Sequence, residues 1–188
     1  MMYQNAVAIS HELVSRHVRP GDTVVDATAG NGNDTLFLVN LVGELGKVYA
    51  FDIQQCALEQ TALRLERASV LERARLIHDG HENMKQHVTP GVRAVMFNFG
   101  YLPGGDHSLY TRPQTSIAAV EAAMELISDD GIVMLAIYSG GDTGFAERDA
   151  LLSYLRQVDN HSYSVLLHDF INYPNCPPLA VSITRCPK

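Results

Sequence analysis

The chain has 188 residues, 46% hydrophobic and 19% charged, a size for one domain (1–188) with a real core and a composition ordinary for a globular protein. Fourteen Lys and Arg against 21 Asp and Glu leave a net charge of −7, which excludes a protein that grips nucleic acid through an overall basic surface. No apolar run is long enough to span a membrane, the polar start predicts no signal peptide, and Cys56, Cys176 and Cys186 lack the spacing of a structural zinc site, so a reducing cytoplasmic setting is expected.

An amphipathic helix is expected over 4–18, with Ala6, Ile9, Leu13 and Val14 on one face. Strands follow at 23–27, 47–52, 74–78, 94–99 and 131–137, separated by helices at 34–42, 55–69, 82–87 and 115–127. A glycine-rich turn then leads into a helix near 145–158, and two apolar strands, 163–170 and 179–184, close the chain. Alternating strands and helices imply an α/β fold, a parallel sheet covered on both faces. The last two strands have no helix between them and should form an antiparallel hairpin. The resulting Rossmann-like, seven-stranded, mostly parallel sheet resembles that of class I methyltransferases. The long segment 100–114 has no clear pattern, and loops of that length in a compact domain are usually functional.

The most informative stretch is VVDATAGNGNDT, Val24–Thr35. An apolar run ends at Asp26, Gly30 and Gly32 allow a tight turn, and a helix opens with Asn33 or Asp34 available to cap it. Strand, glycine loop and helix together form a cradle for a nucleotide-type cofactor. Asp26 stands four residues before Gly30 and six before Gly32, similar to the methyltransferase pattern with Thr28 in place of the first glycine. Its carboxylate is expected beside the ammonium of an S-adenosylmethionine, whereas a pyrophosphate would be repelled by Asp26 and Asp34. Asp52, at the end of the second strand, suits the two ribose hydroxyls of either cofactor type. Asp79 and His81 offer polar side chains for an adenine amino group; Asn31, Thr35, Gln54 and Asn98 complete the expected cofactor set. A nicotinamide-binding oxidoreductase would carry a third glycine where Thr35 stands.

The fourth strand runs into Asn98-Phe99-Gly100-Tyr101. This resembles the Asn/Asp-Pro-Pro-Tyr motif of methyltransferases acting on amino nitrogens, with Phe99 and Gly100 replacing the prolines. Asn98 would accept hydrogen bonds from a target amine, and Tyr101 would stack on its base. Such an amine must lose a proton before it attacks, and Asp106 with His107 are the nearest candidates to accept it. Tyr138 and Gly140 follow the fifth strand and Arg112 lies in the long segment; all three are expected on the substrate side.

NAVAISH near the start, DATAGNGNDT, NFGYLPGGDH and the closing NYPNCPPLAV together resemble the small bacterial proteins of the rRNA methylase family. Despite that name, the resemblance implies action on tRNA: S-adenosylmethionine-dependent methylation of the aminomethyl group on the wobble uridine of the anticodon loop, giving 5-methylaminomethyluridine, often on a 2-thiolated base. It also implies that the opening helix, within residues 1–20, covers the cofactor side, bringing Asn5 and His11 to the entrance. An rRNA base or small-molecule methyltransferase with the same cofactor site is the nearest alternative. Local basic groups for RNA are Arg16 with His17 and Arg19, Arg73 with Arg75, and Lys85 with His87, on a monomer or homodimer. None of the eight histidines shows metal-ligand spacing, and methyl transfer needs no metal.

Overall fold

Helix α1 (Ala6–His17) starts where the Asn5 side chain accepts a hydrogen bond from the Ala8 N–H at 2.8 Å, which satisfies one of the otherwise orphaned N-terminal donors. The computed structural model describes residues 5–100, 111–139 and 144–187. Within them lie β1 (Thr23–Asp26), α2 (Asn33–Val42), β2 (Lys47–Asp52), α3 (Gln55–Arg67), β3 (Ala74–His78), β4 (Val92–Phe99), α4 (Pro113–Leu126), β5 (Ile127–Ile137), α5 (Gly144–Leu155), β6 (Tyr163–His168) and β7 (Leu179–Arg185). Every expected strand and helix is present, with shifted ends. The segment expected as a helix at 82–87 is a 3-10 helix, His81–Gln86, and a second one, Leu71–Arg73, precedes β3.

The sheet order is β3-β2-β1-β4-β5-β7-β6, with β1 to β5 parallel and β7 antiparallel to both of its neighbours. The expected hairpin therefore exists, but its second strand inserts beside β5 and leaves β6 at the edge. Strand order reverses between β1 and β4, which opens a crevice beyond the carboxyl ends of the strands.

Alternating side chains of the same strands feed two separate cores, as the period of two requires. Val25, Phe51, Val95, Phe97, Phe99 and Leu135 pack with α4, α5 and Met84. Val24, Val48, Ala94, Met96 and Met134 pack with α1, α2 and α3. Three layers result, and β1 and β4 are buried on both faces, so their carboxyl ends are held rigidly. Helix α4 passes into β5 without a loop, because Ile127 already has extended backbone at the helix C-cap. Ile127, expected as the last residue of the helix, and 128–130, expected between helix and strand, thus belong to the strand. Among the described residues, no helix is long and apolar enough to cross a membrane.

Candidate active site

A cleft of about 650 Å³ lies across the ends of β1, β2 and β4. That volume is within the usual range for small-molecule sites.

Its floor is the glycine loop. Gly30 and Gly32 have φ of 52° and 74°, in the left-handed region where a side chain is strained. A Cβ on Gly32 would also stand 2.9 Å from the Thr61 Cα, so α3 presses on the loop too closely for any other residue. Helix α3 holds the loop's carbonyls as well: the Thr61 hydroxyl donates to Gly30 O at 3.1 Å and Arg64 Nε to Asn31 O at 2.6 Å. The expected helix caps are not used. Gly32 occupies the N-cap of α2 without a side-chain bond, which frees Asn33 and Asp34 for the cleft they line.

Asp26, expected beside the cofactor's ammonium, is not on the cleft. It is fully buried, with its oxygens accepting the Thr35 hydroxyl at 2.6 Å and the Thr28 N–H at 3.1 Å. Thr35 and Gly32 likewise shape the loop from beneath and do not line the cleft. Burial first, then the nearby Asp34 charge, push the Asp26 carboxyl up to about 7. The native state therefore keeps a proton that the unfolded chain releases near pH 4. Stability from this group is complete below that value and is lost as pH rises through about 7. Asp26→Asn should consequently gain on the wild type in thermal melts run from pH 5 to pH 8, by about 2–4 °C for each kcal/mol recovered. A gap that stays constant across that range would contradict the assignment.

The other cofactor candidates that reach the cleft are Thr28, Gly30, Asn31, Asn33, Asp34, Asp52, Gln54, Asp79, His81 and Asn98. Asp52 is oriented by two backbone donors, Gly30 N–H and Gln54 N–H, each at 2.9 Å. Asp79 accepts from Gly80 N–H, Asn83 and His87, and the His87 bond is the main reason its carboxyl lies below the usual range. It organises the following 3-10 helix as much as it faces the cleft. His81 sits edge-on to Phe97 and Phe99, with Nδ1 3.2 Å from Ala27 O. Burial depresses its pKa, so the ring is neutral; Nδ1–H donates to that carbonyl and Nε2 is left as an acceptor.

At the β4 end, Asp34 gathers two elements. One oxygen lies 2.7 Å from His11 Nε2 on α1, and the other accepts from Asn98 Nδ2 at 2.6 Å. His11 stacks flat on Phe37, with ring centroids 3.8 Å apart. A carboxylate only accepts, so the Asn98 amide must turn its NH₂ toward Asp34. Among the described residues nothing donates to its Oδ1, which is thereby presented as an acceptor. The Asn98 backbone N–H donates to Thr28 Oγ1 at 2.8 Å, which locks β4 to the glycine loop. Tyr138 and Arg112 line the same end, and burial with the Asp34 charge raises the Tyr138 hydroxyl pKa. Tyr101, Asp106, His107 and Gly140 lie outside the described residues. Asn5, spent on the cap, and the 172–178 segment do not line the cleft; on α1, Val7 does.

One participant escaped the sequence reading altogether. Glu147, only 3% exposed, accepts from the Ser116 hydroxyl at 2.5 Å and the Thr111 hydroxyl at 2.7 Å, and burial raises its pKa. Thr111 Oγ1 in turn accepts the Gly100 N–H at 3.0 Å. The buried carboxyl thus ties α5 and α4 to the end of β4, fixing the two residues that flank 101–110. An acidic residue in the first turn of a helix reads in sequence as a dipole-compensating surface group, so no pattern marked it.

Among the described residues four carboxylates line the cleft, Asp34, Asp52, Asp79 and Glu82, against one guanidinium, Arg112. That balance disfavours a pyrophosphate and suits a ligand carrying cationic groups. Among the described residues, no three His, Cys, Asp or Glu side chains cluster as metal ligands.

Comparison with known proteins agrees with this geometry. Residues 48–184 match the family model described as "Putative rRNA methylase". A tRNA (mnm(5)s(2)U34)-methyltransferase of Arabidopsis thaliana chloroplasts is 33% identical over 97% of this chain and 70% of its own length. The structure of an rRNA methylase of the same description from Clostridium thermocellum shares 49% identity with a TM-score of 0.96, over 99% of this chain and all of that one. A Streptococcus mutans methyltransferase solved with S-adenosylhomocysteine shares 34% identity and a TM-score of 0.89, over 98% of this chain and all of that one. With the sheet order, the glycine loop and the acidic cleft in place, the chain belongs to that rRNA methylase family and has the class I methyltransferase fold.

Proposed function

We propose that the protein transfers a methyl group from S-adenosylmethionine to the aminomethyl nitrogen of 5-aminomethyl(-2-thio)uridine at the tRNA wobble position. The cofactor is S-adenosylmethionine: the acidic cleft and the backbone-oriented Asp52 fit its cationic and ribose groups, and the Streptococcus mutans relative carries its demethylated product. For the acceptor, the observation that carries the reading is the Asn98 amide, held by Asp34 so that its oxygen is open at the β4 end. The name of the Arabidopsis thaliana relative, a tRNA (mnm(5)s(2)U34)-methyltransferase, supports this substrate class.

When bound, S-adenosylmethionine supplies an electrophilic methyl group on a sulfonium. Asn98 Oδ1 accepts a hydrogen bond from the target amine and orients its lone pair, a proximity and alignment effect. Asp34 keeps that amide from flipping, and its negative charge favours an amine over a neutral group. Tyr138 and Arg112 line the side from which the base and its phosphate approach. A tRNA-modifying role and three free cysteines fit a reducing cytoplasm.

The test is mass spectrometry of tRNA nucleosides from a strain lacking the gene, before and after treatment with enzyme and S-adenosylmethionine. Accumulated 5-aminomethyl(-2-thio)uridine should convert to the methylamino form. The family description keeps rRNA as the second reading. A methylated rRNA nucleoside with unchanged wobble uridines would replace the first reading with that one.

A further inference from the structure

An acidic RNA-modifying enzyme needs a local site for the phosphate backbone. The basic groups that stand out in sequence do not provide it, because each has a member spent on a carboxylate. Arg16 pairs with Glu12 at 2.8 Å, Arg73 with Glu72 and Glu44, Lys85 with Glu125 at 2.5 Å, and His87 with Asp79 at 2.8 Å. A cation already paired with a carboxylate offers a phosphate little net charge.

A groove of about 440 Å³ between α2 and α3 is different. Asn31, Asn33, Gln60, Leu63, Arg64 and Arg67 line it, and no carboxylate does. Neither arginine has an ion pair among the described residues. Arg64 is pre-oriented, since its Nε donates to Asn31 O, and its terminal N–H groups have no partner among the described residues. Asn31 and Asn33 also line the cofactor cleft, so the groove shares a wall with that cleft.

We propose that this groove holds a backbone phosphate of the RNA substrate, next to the nucleotide being modified. The inference rests on the RNA reading of the cleft. Two guanidiniums and three carboxamides supply N–H donors to phosphate oxygens, and the planar guanidinium meets phosphate in a bidentate fashion. Leu63, 45% exposed, offers an apolar surface to the adjoining sugar.

The experiment compares wild type, Arg67→Ala and Arg67→Lys in binding an anticodon stem-loop RNA across a salt series, with S-adenosylhomocysteine affinity by calorimetry as the control. Arg67→Ala should bind the RNA about 3- to 10-fold more weakly near 0.1 M salt and lower the log–log salt slope by about 0.7–1. Its S-adenosylhomocysteine affinity should match wild type, and Arg67→Lys should recover much of the low-salt affinity. Wild-type RNA affinity and slope in Arg67→Ala would overturn the proposal. So would saturable binding of inorganic phosphate to the groove with RNA affinity equal in both proteins, which would make it a free-phosphate site. A wild-type protein that binds no RNA would overturn the RNA reading of the cleft together with this one; RNA binding indifferent to Arg67 would overturn this one alone.

Discussion

Asn98→Ala should reduce single-turnover methyl transfer by about 10²- to 10³-fold, the range seen when one preorganised hydrogen-bonding group is removed from a reacting centre. Asp34 accepts from the Asn98 NH₂ at 2.6 Å, the backbone of Asn98 is locked to Thr28 at 2.8 Å, and β4 is buried on both faces. The amide oxygen therefore cannot turn away, and nothing in the alanine variant replaces it. S-adenosylhomocysteine should bind the variant with affinity close to wild type, since the loop, Asp52 and Gln54 are untouched. Asp34→Asn tests the same device from the other side. An amide at residue 34 both donates and accepts, so Asn98 is no longer held in one orientation, and the rate should fall about tenfold, an intermediate loss. Calorimetry and rapid-quench methylation separate the two quantities; an Asn98→Ala enzyme with near-normal turnover would remove Asn98 from the acceptor site.

Asp52→Ala should weaken S-adenosylhomocysteine binding by roughly 10- to 150-fold, which corresponds to about 1.5–3 kcal/mol for a hydrogen bond to a charged group. Two losses combine in this variant. The ribose hydroxyls lose their carboxylate, and the Gly30 and Gln54 N–H groups, each 2.9 Å from it, lose the acceptor that sets the loop. Asp52→Asn should be intermediate, because one of its two polar atoms is a donor facing a donor. Isothermal titration of all three proteins at one pH checks the ranking, and equal affinities would show that the ribose is held elsewhere. Because the effect falls on binding, saturating cofactor should restore much of the rate, in contrast to Asn98→Ala.

Much of this was legible in the chain before folding. The apolar runs at Thr23–Asp26, Lys47–Asp52 and Val92–Phe99 and the amphipathic helices between them specify a parallel sheet, because period-two and period-3.6 patterns bury different faces. Gly30 and Gly32 mark a loop whose positive φ values few other residues tolerate. Asp52 and Asn98 follow from standing at strand ends, where this topology puts ligands. Residue boundaries were less legible: α4 runs directly into β5, although Ser128-Asp129-Asp130-Gly131 are turn-forming residue types that mark a break in sequence.

The elements, their alternation, the glycine cradle and the residue types at the strand ends are readable along the chain, since these depend on local backbone preference and on periodicity. Which carboxylate faces the cleft is a matter of packing. Asp26 and Asp34 look equivalent in DATAGNGND, yet Asp26 is enclosed by Thr28 and Thr35 while Asp34 is drawn out by His11 and Asn98, 23 and 64 residues away. The same holds for Glu147 beneath Thr111, for Thr61 and Arg64 against the loop, and for the arginines left without a carboxylate between α2 and α3. Burial and charge pairing are set by neighbours far apart in sequence, so no local pattern carries them.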